Sequence, residues 1–146
     1  MTHKAVTVAN AIIEAGRNRV QDLSHMKLQK LLFFAQGWHL AFFNEPLIEE
    51  SFEAWRFGPV VPDLYHAFKH CKDQPVNTST APVGVADERM HEVIDEVYRV
   101  YGDFSAMELS DLTHQEGTPW NEVYAVGGET IPNTLIKGYF LSLGQQ

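Results

Sequence analysis

The chain has a single cysteine, Cys71, so it can form no internal disulfide, and a metal site there would need its other ligands from elsewhere. It has no apolar run near the roughly 20 residues needed to span a bilayer. Its first residues, Met1-Thr2-His3-Lys4-Ala5-Val6, meet Asn10 and Glu14 too soon for a secretory signal. Basic residues are scarce. Eleven Lys and Arg against nineteen Asp and Glu leave a net charge of −8, a field that repels phosphate backbones and, with no dense basic cluster, disfavours nucleic-acid binding. Gly127-Gly128 lacks the Lys-Ser/Thr continuation of a phosphate-cradling loop, and His91-Glu92 does not extend to a His-Glu-x-x-His metal motif. These absences lead to the expectation of a soluble cytoplasmic protein with no membrane or nucleic-acid partner, whose acidic balance suits a basic protein partner.

What is present is material for a core. Hydrophobic residues make up 45% of the 146, enough for one domain over 1–146 that buries roughly 70% of its unfolded surface without a metal or disulfide staple. Val6, Ala9, Ile12, Ile13 and Gly16 recur at helical spacing, and 18–22 reads as a connection. Ser24 is placed to cap a helix near Lys27, with Leu23 and Leu28 at the spacing of a hydrophobic staple. From 25 to 43 the chain is apolar on most sides, with Leu28, Leu31, Leu32, Ala35, His39 and Phe42 along one stripe and Phe33, Phe34, Gly37, Leu40 and Ala41 around it. A helix apolar nearly all round is a central one. Asn44-Glu45-Pro46 ends it.

Leu47-Ile48 and Phe52–Arg56 read as the two strands of a short hairpin within 47–56, followed by a turn at Phe57-Gly58-Pro59. Pro62 opens a helix with Val61, Leu64, Tyr65 and Phe68 on its apolar face. Residues 72–86 are a loop by composition, long enough to serve in binding. Helical periodicity returns over 87–101. Ser105-Ala106-Met107-Glu108 has the pattern of a capping box, Thr118-Pro119 that of an N-cap with Pro behind it, and Pro132 opens a last helix with Leu135, Ile136, Tyr139, Phe140 and Leu143. The fold class expected is mainly α, at most α+β, built around the helix at 25–43.

Few clusters carry chemistry. His66 and His70 stand four apart beside Cys71, a beginning of a zinc set that still needs further ligands; the alternative is a solvated helix end. Cys71 has no nucleophile elbow. His114 and Glu116 are spaced for an acid/base pair, or for a hydrogen-bonded joint between two short helices. Two clusters suit protein binding. Trp55, Arg56, Phe57, Gly58 and Pro59 join large aromatics and a guanidinium to rigid turn residues, the side chains favoured as interface anchors, against the alternative that Trp55 plugs the core. His114 and Trp120, in Thr113–Trp120, form the second.

Four segments, in order, resemble one family. Leu28-Gln29-Lys30-Leu31-Leu32-Phe33-Phe34-Ala35-Gln36-Gly37-Trp38-His39-Leu40-Ala41 is similar to the opening motif of the Panacea domain, also described as SocA-like or phage-associated. Glu53–Val60 resembles its second motif, Leu112-Thr113-His114 with Pro119-Trp120 its third, and Ile136–Phe140 its closing helix. The resemblance implies an antitoxin that neutralises a toxin encoded nearby by direct protein–protein binding. A related role in the family is a proteolysis adaptor that delivers the toxin to an ATP-dependent protease. It implies no catalytic residue, no cofactor and no metal; a small His/Cys-based metal-dependent hydrolase is the alternative from the residues alone.

Overall fold

The computed structural model describes residues 2–17, 19, 23–72, 74–76 and 87–145. Most of the connection at 18–22 and most of the 72–86 loop therefore lie outside the described residues. Among those described, the chain runs α1 (Ala5–Gly16), α2 (His25–Phe43), β1 (Phe52–Trp55), β2 (Gly58–Val60), α3 (Pro62–Phe68), a 3-10 turn (Lys69–Cys71), α4 (Glu88–Tyr101), α5 (Ala106–His114), α6 (Pro119–Ala125), β3 (Thr130–Ile131) and α7 (Asn133–Gly144). The fold is mainly α with a small antiparallel sheet of order β2-β1-β3.

Helix α2 begins where a side chain can serve its free amides: Ser24 Oγ accepts the Lys27 N–H at 3.1 Å. It ends at Asn44, whose left-handed φ of 56° turns the chain while its N–H donates to Leu40 O. Leu28, Leu31, Leu32 and Ala35 are fully buried, and α1, α4 and α7 pack around the helix. The expected stripe holds except at Phe42, which is exposed; in α1, Val6 likewise faces outward and Val8 takes its place in the core. Phe33 sits edge-on to Phe52 and Phe140, and Phe34 stacks on Tyr101 at 4.0 Å. The caps read from sequence form in α5 and α6: Ser105 and Glu108 close a reciprocal box, and Thr118 caps α6 with Pro119 behind it.

The Phe140 ring lies directly on the α2 backbone at Gly37, where a Cβ would come within 2.1 Å of Phe140 Cε2. Gly37→Ala is therefore expected to destabilise the fold by about 1–3 kcal/mol through overpacking, although alanine in an open helix gains about 1 kcal/mol over glycine. A lowered urea midpoint checks this; a raised midpoint contradicts the close approach.

The hairpin differs from the sequence reading in its pairing. Strand β1 pairs not with 47–48 but with β2, in the register Glu53↔Val60 and Trp55↔Gly58, and on its other side with β3. Arg56-Phe57 forms the turn, and Gly58-Pro59 belongs to the strand. Pro59 is tolerated because β2 is an edge of the sheet. Leu47 and Ile48 are buried, yet their N–H groups go to a side chain: both donate to Gln36 Oε1, at 2.8 and 3.0 Å. Ile48 meets His3 in a lone parallel bridge. A two-residue apolar run gives no alternation by which to tell such a segment from a strand.

Candidate functional site

Helix α2 carries the polar side chains of Lys27, Gln29 and Lys30 on covered faces, so each needs a partner inside. Gln29 finds one by pairing with the backbone at the entry to α3: its Oε1 accepts the Val61 N–H at 3.1 Å, and its Nε2 donates to Val61 O at 3.3 Å. Lys27 Nζ donates to Gly102 O at 2.7 Å. Lys30 is different. It is 1% exposed, and among the described residues its amine has no hydrogen-bonding or ionic partner.

Lys30 instead lines a pocket of about 80 Å³ between α2, the hairpin and α3. His25 and Met26 from α2, Trp55 and Phe57 from the hairpin, and Tyr65 from α3 form its walls. Trp55 is half-buried, packs edge-on to Tyr65 at 5.1 Å and donates its indole N–H to Glu53 Oε1 at 2.9 Å. It walls the pocket and does not plug the core. Phe57, 62% exposed at the tip of the turn, stands at the rim, with the exposed Arg56 guanidinium over its ring at 5.7 Å.

Gly58 makes this arrangement possible on two counts. Its φ of +122° favours glycine, and a Cβ there would lie 2.8 Å from Lys30 Cε, 3.0 Å from Nζ and 3.2 Å from Thr113 Oγ1. Burial lowers the Lys30 pKa to about 8. His25 and His114 are each pushed below the ordinary histidine value, first by burial and then by the Lys30 charge.

The corner between α5 and α6 holds the turn from behind. Ser110 Oγ donates to Phe57 O at 3.2 Å, and the Trp120 indole N–H donates to Trp55 O at 2.6 Å. Thr118 Oγ1 donates to Thr113 O at 2.7 Å, tying the two helices together. His114 packs tilted against Trp120 with centroids 4.0 Å apart, and its Nε2 is buried without a partner among the described residues. Glu116 is exposed. The residues singled out in sequence thus converge: Trp55, Arg56 and Phe57 at the surface, Gly58 and Pro59 buried beneath them, His114 and Trp120 as support. His66 and His70 are exposed, and only the 3.5 Å approach of His70 Nε2 to Cys71 Sγ links them to the cysteine. No group of three His, Cys, Asp or Glu side chains suited to a metal occurs among the described residues.

Sequence reasoning missed Lys30, His25 and Tyr65 as parts of this site. The available signal was the apolar character of the 25–43 helix on most sides, which leaves little solvated face for a lysine.

The segments that build the pocket and its support all lie within residues 28–121, apart from His25 and Met26 at the start of α2. Residues 28–121 match the family model for the antitoxin SocA-like Panacea domain. The chain is also similar to Antitoxin SocA of Caulobacter vibrioides (strain NA1000 / CB15N), with 33% identity over 130 residues covering 82% of this chain and 69% of that protein. The chain belongs to the SocA-like Panacea antitoxin family. No solved structure matches it. In this SocA-like chain the matched span runs from α2 to α6, so the hairpin and the α5–α6 corner are family elements, while α1 and α7 flank them. No helix among the described residues is long and apolar enough to cross a membrane.

Proposed function

We propose that residues 1–146 act as one Panacea unit that neutralises a toxin encoded nearby by binding it directly, through the surface formed by Trp55, Arg56 and Phe57. Family membership supports the antitoxin role. The observation that carries the contact surface is the fixed exposure of Phe57: a large apolar ring held in solvent by a turn whose carbonyls are anchored by Ser110 and Trp120. An aromatic presented on a rigid backbone loses little conformational freedom on binding, and Trp, Tyr and Arg dominate interface energetics. Gly58, Pro59, His114 and Trp120 set the position of the turn and are not themselves the contact. No catalytic step is invoked.

Co-expression with the neighbouring open reading frame tests the reading. The wild-type chain is expected to restore growth and to co-purify with the toxin. Phe57→Ala is expected to weaken the complex by at least about 2 kcal/mol, roughly 30-fold, as truncation of an anchor does, while leaving the thermal midpoint within about a degree because the ring is exposed. Binding is to be measured with purified components and no protease present, so that direct inhibition is separated from delivery to an ATP-dependent protease. Absence of rescue, or neutralisation that needs a protease, defeats direct binding as the mechanism.

A further inference from the structure

We infer that the pocket floored by Lys30 receives an acidic side chain, aspartate or glutamate, projected by the partner protein, an inference that rests on the antitoxin reading above. The first ground is the uncompensated cation. Lys30 is 1% exposed, its ammonium has no partner among the described residues, and the walls supply no carboxylate. A buried charge is retained in folded proteins when something pairs with it. Here the missing counter-charge has a place to enter, because Lys30 lines an open pocket and not a sealed core.

The second ground is the way the fold keeps the amine free. Gln29, the polar neighbour in the same pocket, has both amide atoms committed to Val61. Gly58 leaves the space over Cε and Nζ empty where any side chain would press on them. Trp55, Phe57 and Tyr65 line the approach and Lys30 itself is buried, the setting in which an ammonium–carboxylate hydrogen bond is strongest.

The third ground is stoichiometry of charge. One amine matches one monoanion, whereas a phosphate dianion needs a second cation, and the residues lining the pocket include no Lys or Arg besides Lys30. The net charge of −8 does not argue against this. It draws a basic partner at long range, and a single buried cation then selects one acidic side chain and fixes the register of docking.

The test uses the whole chain and defined probes. N-acetylglutamate α-amide carries the side-chain carboxylate, N-acetylglutamine α-amide is its neutral counterpart, N-acetylalanine carries a chain-terminal carboxylate, and inorganic phosphate is a fourth arm. Binding is read from the NMR shifts of the Trp55 indole N–H and the Gly58 amide. The glutamate probe is expected to bind at least roughly tenfold more tightly than the glutamine probe, as expected for one charge-assisted bond, and Lys30→Met is expected to erase the difference. Lys30→Met is also expected to weaken the purified complex with the toxin at least roughly tenfold. Removing a buried charge does not threaten folding, and an unchanged near-UV spectrum verifies that.

Equal binding of the glutamate and glutamine probes overturns the inference. So does tighter binding of phosphate or N-acetylalanine, or a Lys30→Met variant that holds the toxin as the wild type does. A wild-type chain that fails to protect cells removes the antitoxin reading instead, and the carboxylate-against-amide comparison then decides the pocket on its own.

Discussion

Gln36→Leu is expected to lower the stability of the fold by about 2–6 kcal/mol, the cost of leaving two buried backbone donors without acceptors at about 1–3 kcal/mol each. Gln36 is fully buried, and its Oε1 takes the N–H groups of both Leu47 and Ile48 while its Nε2 donates to Asn133 Oδ1 at 3.2 Å. Leucine has nearly the same volume, so the loss is one of hydrogen bonding and not of packing. It is large against the 5–15 kcal/mol by which domains are typically stable. Urea denaturation measures the total. Hydrogen exchange at the Leu47 and Ile48 amides localises it, since both are expected to lose protection before α2 does. A leucine variant with the wild-type midpoint contradicts the role assigned to Gln36.

Lys30→Met, six residues earlier in the same helix, is expected to act in the opposite direction and stabilise the fold by about 3 kcal/mol at neutral pH. The folded-state pKa of Lys30 is about 8, below the unfolded value of about 10.4. The folded chain therefore binds fewer protons than the unfolded chain between these values, and wild-type stability rises as pH climbs through that window. Below pH 8 the full penalty of the buried ammonium is present. The stability difference between the variant and the wild type should thus be greatest at pH 7 and below, and vanish by about pH 10.5. Taking the difference matters, because burial raises the pKa of Tyr98 and Tyr101, which makes the wild type lose stability at the alkaline end. Paired melts across this range provide the check; a difference independent of pH contradicts the burial of a charged amine. Stability gained at the expense of partner binding is a common exchange at functional sites.

Gln36 and Lys30 also mark the limit of what the sequence discloses. Elements governed by local rules were legible: Ser24, Ser105 and Thr118 cap the helices they precede, and the apolar 25–43 segment lies at the centre. Elements governed by distant partners were not. Leu47-Ile48 reads as a strand, yet its amides are satisfied by a glutamine eleven and twelve residues back, which no periodicity records. Thr130-Ile131 is too short to show alternation, and its pairing with Glu53 and Phe52 crosses most of the chain. The turn at 55–59 was legible through Trp55, Gly58 and Pro59, but the role of Trp120 in gripping it depends on one indole N–H reaching Trp55 O. Lys30 was hidden by a general tendency: lysines on helices are mostly solvated, and only its place in a helix apolar on most sides marks this one as buried.

The packing of α7 on α2 also sets an order in time. Phe140 covers Gly37, and Asn133 completes the partners of Gln36, yet both are synthesised long after α2. At roughly 5–20 residues per second, the ribosome needs about 5–20 s to cross 44–132. Throughout that interval one face of the central helix has no cover, and the nascent protein presents to chaperones and proteases the surface that later becomes its centre. The α7 helix is thus the one that makes this packing durable, and the centre of the fold is closed only when α7 has docked on α2.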